Sequence, residues 1–143
     1  MATIIIDAKD QILGRLAAFA AKQALMGHTV RVINAEKAVV SGKRGMVVAE
    51  AKRHKAMGVP RKGPFHSKLP DRWLRRVIRG MLPHKFPRGR EAYARVMCYI
   101  GTPTEFVGQP AIKAPGADRT KLPTLDAVTV GRICEELGGK HYE

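Results

Sequence analysis

The 143-residue sequence has very few acidic residues in the stretch where most of its basic residues lie. Residues 43–95 hold sixteen of the 26 Lys and Arg residues but only three of the 12 Asp and Glu residues, and so carry +13 of the net charge of +14. Like charges crowded on a compact protein repel one another unless a partner neutralises them. For a basic chain the commonest such partner is the phosphate backbone of a nucleic acid, which this stretch therefore predicts.

Long apolar runs are also absent, and cysteine is scarce. Runs such as residues 16–21 are far shorter than the roughly 20 residues of a membrane-spanning helix. Asp7 interrupts the apolar start at residues 4–6, so we expect neither a membrane span nor a signal peptide. Two widely separated cysteines, Cys98 and Cys134, do not form a disulfide framework. They indicate reduced thiols in a cytosolic protein.

The common catalytic and cofactor motifs are missing. Residues 41–43 (Ser-Gly-Lys) resemble the end of a P-loop, but Lys37 and Arg44 occupy positions that require Gly and Ser or Thr. The first strand–helix turn, residues 7–14, lacks G-x-G-x-x-G. No H-E-x-x-H, C-x-x-C or G-x-S-x-G occurs either. We therefore expect a protein that is not an enzyme and has no metal, cofactor or small-molecule substrate.

The first third of the chain predicts a βαβ unit. The apolar residues 3–7 are typical of a buried strand. Asp10 is a candidate N-cap for a helix over about residues 12–26, which Gly27 would end. Residues 29–34 predict a second strand. Strand, helix and strand within about 30 residues indicate a parallel sheet with a right-handed crossover.

The remaining chain predicts more helices and strands around basic loops, all within one domain over residues 1–143. Residues 38–40 form a short, ambiguous strand candidate, and residues 96–100 predict a buried strand. Proline and glycine mark an irregular basic loop at residues 58–70 and an extended arm at residues 102–123. Further helices are predicted over about residues 43–56, 71–81, 87–95 and 127–137. The fold class is α/β, with a small parallel sheet.

The helix predicted over residues 71–81 has two chemically different faces. Arginines spaced i, i+3, i+4 and i+7 form one face: Arg72, Arg75, Arg76 and Arg79. Apolar residues with the same spacing form the opposite face: Leu74, Val77, Ile78 and Met81. Each like-charge i,i+4 pair costs roughly 0.2–0.5 kcal/mol in an isolated helix. Because guanidinium can bind two phosphate oxygens at once, the basic face predicts phosphate contacts, with a merely solvated face as the alternative.

Basic residues before and after this helix extend the predicted interface. His66 and His84 lie in basic loops and are interpreted as phosphate or base contacts rather than as general bases. If half of the sixteen cations meet phosphate, the salt slope of binding would be about −6 to −7. The candidate contacts share a basic side chain and a place in this region: Lys43, Arg44, Lys52, Arg53, Lys55, Arg61, Lys62, His66, Lys68, Arg72, Arg75, Arg76, Arg79, His84, Lys85, Arg88 and Arg90.

Five blocks of sequence, in order, resemble one known family. They are Ile6-Asp7-Ala8 with Leu13-Gly14-Arg15-Leu16-Ala17, Asn34-Ala35-Glu36-Lys37, Ser41-Gly42, Gly63-Pro64-Phe65-His66, and Arg79-Gly80-Met81-Leu82-Pro83-His84-Lys85 with Arg88-Gly89. Together they resemble the universal large-subunit ribosomal protein thirteen family, in its archaeal and eukaryotic form.

This resemblance implies a four-stranded parallel sheet with helices on both faces. It also implies a structural constituent of the large ribosomal subunit that binds and stabilises folded ribosomal RNA during assembly and translation. The RNA contacts would lie mainly in residues 63–90, and neighbouring large-subunit proteins would be further partners. Such a protein is cytoplasmic, ribosome-bound and not an enzyme.

Other functions remain open at this point. An RNA-processing enzyme on the same fold would need a catalytic constellation, which the motifs do not supply. A peripheral membrane protein is a second alternative, because the helix over residues 71–81 is basic and amphipathic. A free-standing nucleic-acid chaperone is a third.

Overall fold

The computed structural model describes residues 2–142. Its helices and strands, in chain order, are β1 (Thr3–Asp7), α1 (Leu13–Leu25), β2 (Thr29–Ile33), β3 (Val39–Ser41), α2 (Arg44–Ala56), α3 (Pro70–Gly80), α4 (Pro87–Ala94), β4 (Val96–Cys98), β5 (Ala127–Thr129) and α5 (Val130–Glu136). Most predicted elements are confirmed to within a few residues, and the α/β class is confirmed.

A three-stranded parallel sheet in the order β1-β2-β4 forms the centre of the molecule. Side chains alternate across a strand, so one face collects every second residue. On one face these residues are apolar and pack in the main core: Ile4, Ile6, Val30, Val32, Val96 and Cys98. Helices α1, α3 and α4 pack on this face.

Helix α1 packs closely because its buried stripe consists largely of small residues. Leu16, Ala17, Ala20 and Ala24 are fully buried. Helices α3 and α4 contact α1 as well as β4. Both crossovers, from β1 to β2 and from β2 to β4, advance in the same direction across the sheet. Right-handed crossovers therefore place α1 and the α3–α4 pair on the same face.

The fourth expected strand belongs to a second, smaller sheet. β3 pairs antiparallel with β5, with Val40 opposite Val128, and does not extend the parallel sheet. Helices α2 and α5 contact this pair, and a small core forms from Val128, Ile133 and Leu137. The helices therefore surround two small sheets instead of covering the two faces of one four-stranded sheet. Pairing of strands so distant in the chain leaves no local signal in the sequence.

Two predicted helix starts are corrected. Asp10 does not cap α1: it adopts a left-handed conformation with φ of 57°, and Ile12 precedes the helix without a side-chain cap. The Asp10 carbonyl instead accepts a hydrogen bond from the Arg119 amide at 2.9 Å. The last helix does not start at residue 127, because residues 127–129 form β5. Thr129 Oγ1 caps α5 by accepting a bond from the Arg132 amide.

The predicted extended arm crosses from β4 to the free edge of β1. The Ile112 amide donates to the Ile5 carbonyl, and the Asp7 amide donates to the Ile112 carbonyl, both at 2.9 Å. Ala114 and Ala117 are buried beyond this contact. The arm thereby covers a strand edge that would otherwise expose unpaired backbone groups.

Gly89 offers a direct test of how α4 packs. A Cβ at this position would lie 1.9 Å from the Pro83 carbonyl oxygen, so Gly89→Ala forces the backbone apart. We expect a loss of about 1–3 kcal/mol in the free energy of unfolding, measured by urea denaturation. Gly45→Ala, in helix α2 with nothing within 4 Å of the added Cβ, is the control. It should stabilise the protein by up to about 1 kcal/mol. Equal stability of Gly89→Ala and the wild type would contradict this packing.

Candidate nucleic-acid interface

Helix α3 starts at Pro70, one residue before the predicted start, and buries part of the predicted apolar face. Pro70 stands in the first turn, where its missing N–H costs nothing, and Asp71 complements the positive end of the helix. Leu74 and Ile78 are fully buried against the core. Met81, expected on the same apolar face, follows the end of the helix and is 43% exposed.

The arginine face of α3 forms one wall of an open groove of about 530 Å³. The groove lies between α3, the loop before it and the chain around β4. Its lining combines arginines with aromatic and polar groups: Phe65, Ser67, Asp71, Arg72, Arg75, Arg76, Arg79, Tyr93, Met97 and Cys98. We call this the α3 groove. All four arginines that share helical spacing are thus brought to one concave surface.

Arg75 is tied to the protein itself. Its Nε donates to the Val96 carbonyl at 2.9 Å, and its Nη2 donates to the Tyr93 carbonyl at 3.3 Å. The guanidinium carbon also lies 4.1 Å from the centre of the Tyr93 ring, a cation–π geometry. These contacts join α3 to the chain entering β4. Arg75 therefore holds the groove together and retains only part of its hydrogen-bonding capacity for a ligand.

The other three arginines differ in how far the protein satisfies them. Arg76 Nη1 donates to the Phe65 carbonyl at 2.8 Å, which ties the preceding loop to α3. Within residues 2–142, the side chains of Arg72 and Arg79 make no hydrogen bond or ion pair. Their guanidinium groups therefore keep their full hydrogen-bonding capacity for an anion in the α3 groove.

Among the described residues, Asp71 is the single acidic residue that lines the α3 groove, and Glu50 and Glu136 line other cavities, so the groove stays cationic. Asp71 Oδ1 accepts a bond from the Arg72 backbone amide at 2.8 Å, so this carboxylate serves the start of the helix. Glu50 pairs with Arg53 at 2.6 Å, and this bond is the main reason that the pKa of Glu50 is lowered. Arg44 pairs with Glu136, 92 residues away in the chain.

Arg44 and Arg53 were predicted as RNA contacts, and both are ion-paired here. Exposed pairs of this kind are weak because water screens them, so phosphate can displace the carboxylates. Arg44 and Lys52 line a separate shallow groove between α2 and α5 with Glu136. Lys55 Nζ donates to the Leu137 carbonyl. Within the described chain, no basic residue of α2 lines the α3 groove itself, but Lys55 lines a neighbouring cavity with Phe65, and His54 lines another with Arg76.

The basic loop before α3 is compact. Val59 and Gly63 exchange two backbone hydrogen bonds, of 3.2 and 2.9 Å, and the tip between them exposes Arg61 and Lys62. Gly58 has a φ of 82°, and a Cβ there would lie 1.9 Å from the Gly63 oxygen. The loop can therefore close only with glycine at this position.

His66 contributes a neutral imidazole rather than a cation. Burial lowers its pKa below the usual 6.5, and the positive charge of Arg76 lowers it further. Its ring centre lies 6.0 Å from that of His54. Near neutral pH, His66 can therefore donate or accept one hydrogen bond but adds no charge to the interface.

Beyond α3, the remaining predicted contacts lie at the surface around the start of α4. Lys85, Arg88 and Arg90 are exposed, and His84 is half-buried. Arg90 Nη2 donates to the Lys85 carbonyl at 3.0 Å, which holds the turn between α3 and α4. These side chains extend the cationic surface but do not line the α3 groove.

Comparisons with known proteins agree with these observations. The sequence matches the family model of ribosomal protein L13 over residues 1–105. The chain belongs to the ribosomal protein L13 family. It is similar to the large ribosomal subunit protein uL13 of Methanopyrus kandleri, with 45% identity over 136 residues that cover 94% of this chain and 86% of the relative. The family predicted from the five sequence blocks is confirmed.

Two further archaeal members of the L13 family show the same degree of similarity. The large ribosomal subunit protein uL13 of Haloarcula marismortui is 42% identical over 137 residues, covering 96% of this chain and 92% of the relative. That of Methanococcoides burtonii is 40% identical over 136 residues, covering 95% and 98%. The similarity to these relatives thus extends into the arm and the last helix, beyond the region that the family model matches.

The two cysteines do not supply chemistry at this interface. Burial raises the pKa of both the Cys98 and the Cys134 thiol to about 12, so both stay protonated at neutral pH. Neither cysteine is in a disulfide, as the sequence predicts. Among residues 2–142, no group of three or more His, Cys, Asp and Glu side chains is arranged to hold a metal ion.

Sequence reasoning missed the apolar and aromatic part of the α3 groove. Phe65, Tyr93 and Met97 line it, and the centre of the Tyr93 ring lies 4.1 Å from the Arg75 guanidinium carbon. A phenylalanine within a loop rich in glycine, proline and basic residues was the available signal. Such a residue has little apolar surface of its own chain to pack against.

The shifted pKa of His66 has a measurable consequence. Titration by NMR should give a pKa below 6.5, and Arg76→Gln should raise it because a nearby positive charge is removed. A base whose folded pKa is depressed stabilises the fold above its unfolded pKa. That contribution is lost as the pH falls below about 6.5 and through the folded pKa. Arg79→Gln, which is not among the causes of the shift, is the control. A pKa at or above 6.5 for wild-type His66 would contradict its burial.

Proposed function

We propose that this chain is a structural constituent of the large ribosomal subunit that binds ribosomal RNA through the α3 groove. The main support is that Arg72 and Arg79, whose guanidinium groups have no partner among residues 2–142, lie within a region carrying +13 of the net charge. The names of its relatives as large ribosomal subunit proteins support the same assignment. The protein would be cytoplasmic and ribosome-bound, with neighbouring large-subunit proteins as further partners.

The geometry of α3 suits a strand of phosphates. Arg72 and Arg79 are seven residues apart, which is two helical turns or about 10 Å along the axis. They can therefore bind separate phosphate groups, each through a bidentate contact. Arg75 and Arg76 keep the walls of the groove in place and present their remaining N–H groups.

The surrounding cations broaden this contact. Arg61 and Lys62 project from the loop before α3, and Lys85, Arg88 and Arg90 follow it. Phosphate contacts position a protein without reading sequence, while the shape of folded RNA supplies specificity. We infer that the protein binds RNA segments on both sides of the groove and stabilises their relative arrangement during assembly.

We assign no catalytic role to the α3 groove. Its one carboxylate, Asp71, binds a backbone amide, and its one thiol, Cys98, is buried and protonated. Neither group is positioned as a general base or nucleophile.

None of the helices described for residues 2–142 has the length and apolar character of a membrane span.

Charge reversal at the two available arginines tests the proposal. We expect Arg72→Glu with Arg79→Glu to lower affinity for large-subunit ribosomal RNA by at least about tenfold. Loss of two phosphate contacts should also reduce the steepness of the salt dependence by about 1.4–1.8. Filter binding at several salt concentrations measures both quantities, and sedimentation with large subunits measures incorporation.

The control carries the same change of charge elsewhere. Arg119→Glu with Lys121→Glu alters two exposed residues of the arm, outside the α3 groove. This variant should bind and sediment nearly as the wild type does. Equal behaviour of the two double variants would show that net charge, and not the groove, determines binding. Binding to anionic lipid vesicles in place of RNA would instead favour the membrane-surface alternative.

A further inference from the structure

Phe65 is an exposed aromatic side chain inside a cationic groove. It is 67% exposed, although the surrounding loop and α3 are rich in basic residues. Isolated apolar residues on a surface need no explanation. The position of Phe65 does need an explanation, because Phe65 lines the same groove as Arg72 and Arg79, whose side chains have no partner among the described residues.

The protein restrains both this ring and the backbone that carries it. Gly63 has a φ of 83°, and a Cβ there would lie 3.0 Å from a carbon of the Phe65 ring, so the ring packs closely over the glycine. Arg76 Nη1 donates to the backbone carbonyl of Phe65 at 2.8 Å, which fixes the backbone that carries the ring. The ring is therefore oriented before any ligand arrives, which lowers the entropic cost of binding.

An oriented aromatic ring beside free guanidinium groups suits one ligand class. Bases in a continuous RNA duplex are stacked on each other and hide their faces, whereas an unpaired base exposes a face to stacking. Aromatic stacking with phosphate neutralisation is the general mode of binding unpaired nucleotides. We propose that Phe65 stacks on an unpaired RNA base whose neighbouring phosphates are bound by Arg72 and Arg79. This inference rests on the proposed function and names the kind of RNA element that the groove accepts.

A stacking residue needs an open ring face and a place in the α3 groove. The other exposed or groove-lining aromatic residues lack one of the two. The Tyr93 ring lies in the groove, but the Arg75 guanidinium covers one of its faces at 4.1 Å. Phe86 is also 67% exposed, but it precedes α4 and does not line the groove. Phe86 is thus a matched control for Phe65, with the same side chain and the same exposure.

The test compares two RNA hairpins that differ only in one unpaired nucleotide. One hairpin is fully paired, and the other carries a single bulged 2-aminopurine, whose fluorescence is quenched by stacking. We expect the wild type to bind the bulged hairpin more tightly and to quench its fluorescence. Phe65→Leu should lose about fivefold or more in affinity for the bulged hairpin, together with the quenching, because leucine has no π face. Affinity for the paired hairpin should not change.

Two further variants make the result specific to the ring. Phe65→Tyr keeps the aromatic face and should restore both affinity and quenching, whereas Phe86→Leu should behave as the wild type does. An unchanged Phe65→Leu, an equal loss on the paired hairpin, or the same loss in Phe86→Leu would overturn the inference. If the stacking inference is overturned in this way, the proposed function is tested separately by the Arg72→Glu, Arg79→Glu protein. Loss of its binding to both hairpins would support the proposed function. Wild-type binding by that double variant would count against the proposed function itself.

Discussion

Burial of Leu74 and Ile78 is the constraint on which the interface depends. The two residues are one helical turn apart, and each contributes about 1.5–3 kcal/mol by leaving water. Any rotation of α3 that hid the arginines would expose these side chains and bury unpaired charge. The core therefore sets the direction in which the arginine face points. Charge that would be self-repelling on an isolated helix becomes a defined surface because apolar packing holds it there.

Backbone carbonyls, not carboxylates, reduce the cost of this crowding near the groove. Arg75 and Arg76 donate to carbonyls of Val96, Tyr93 and Phe65. Such bonds satisfy guanidinium N–H groups without cancelling their charge, so the groove remains attractive to phosphate. The same bonds join α3 to the loop before it and to β4. The arginines that shape the groove and those whose guanidinium groups are left for an anion are thus neighbours on one helix with different tasks.

A polar network at the carboxyl ends of the first two strands holds the start of the arm. Asn34, in a left-handed conformation, donates from Nδ2 to Asp7 Oδ1 at 2.9 Å and accepts a longer bond from Thr102. Glu36 is buried and accepts a bond from the Gly101 amide at 3.0 Å. Asn34 and Glu36 lie in one of the blocks that indicated the L13 family. Their contacts give that block a structural role away from the α3 groove.

Local sequence patterns determined the features that depend on neighbours along the chain. Helical spacing separated Arg72 and Arg79 from Leu74 and Ile78, and the βαβ pattern predicted the parallel pairing of β1 and β2. These signals are local because residues three or four apart share a helix face. Only the tertiary structure decided that β3 pairs with β5, that Glu136 reaches Arg44, and which arginines keep free guanidinium groups. Such contacts join segments that are distant in the chain, and their formation depends on how the whole core packs.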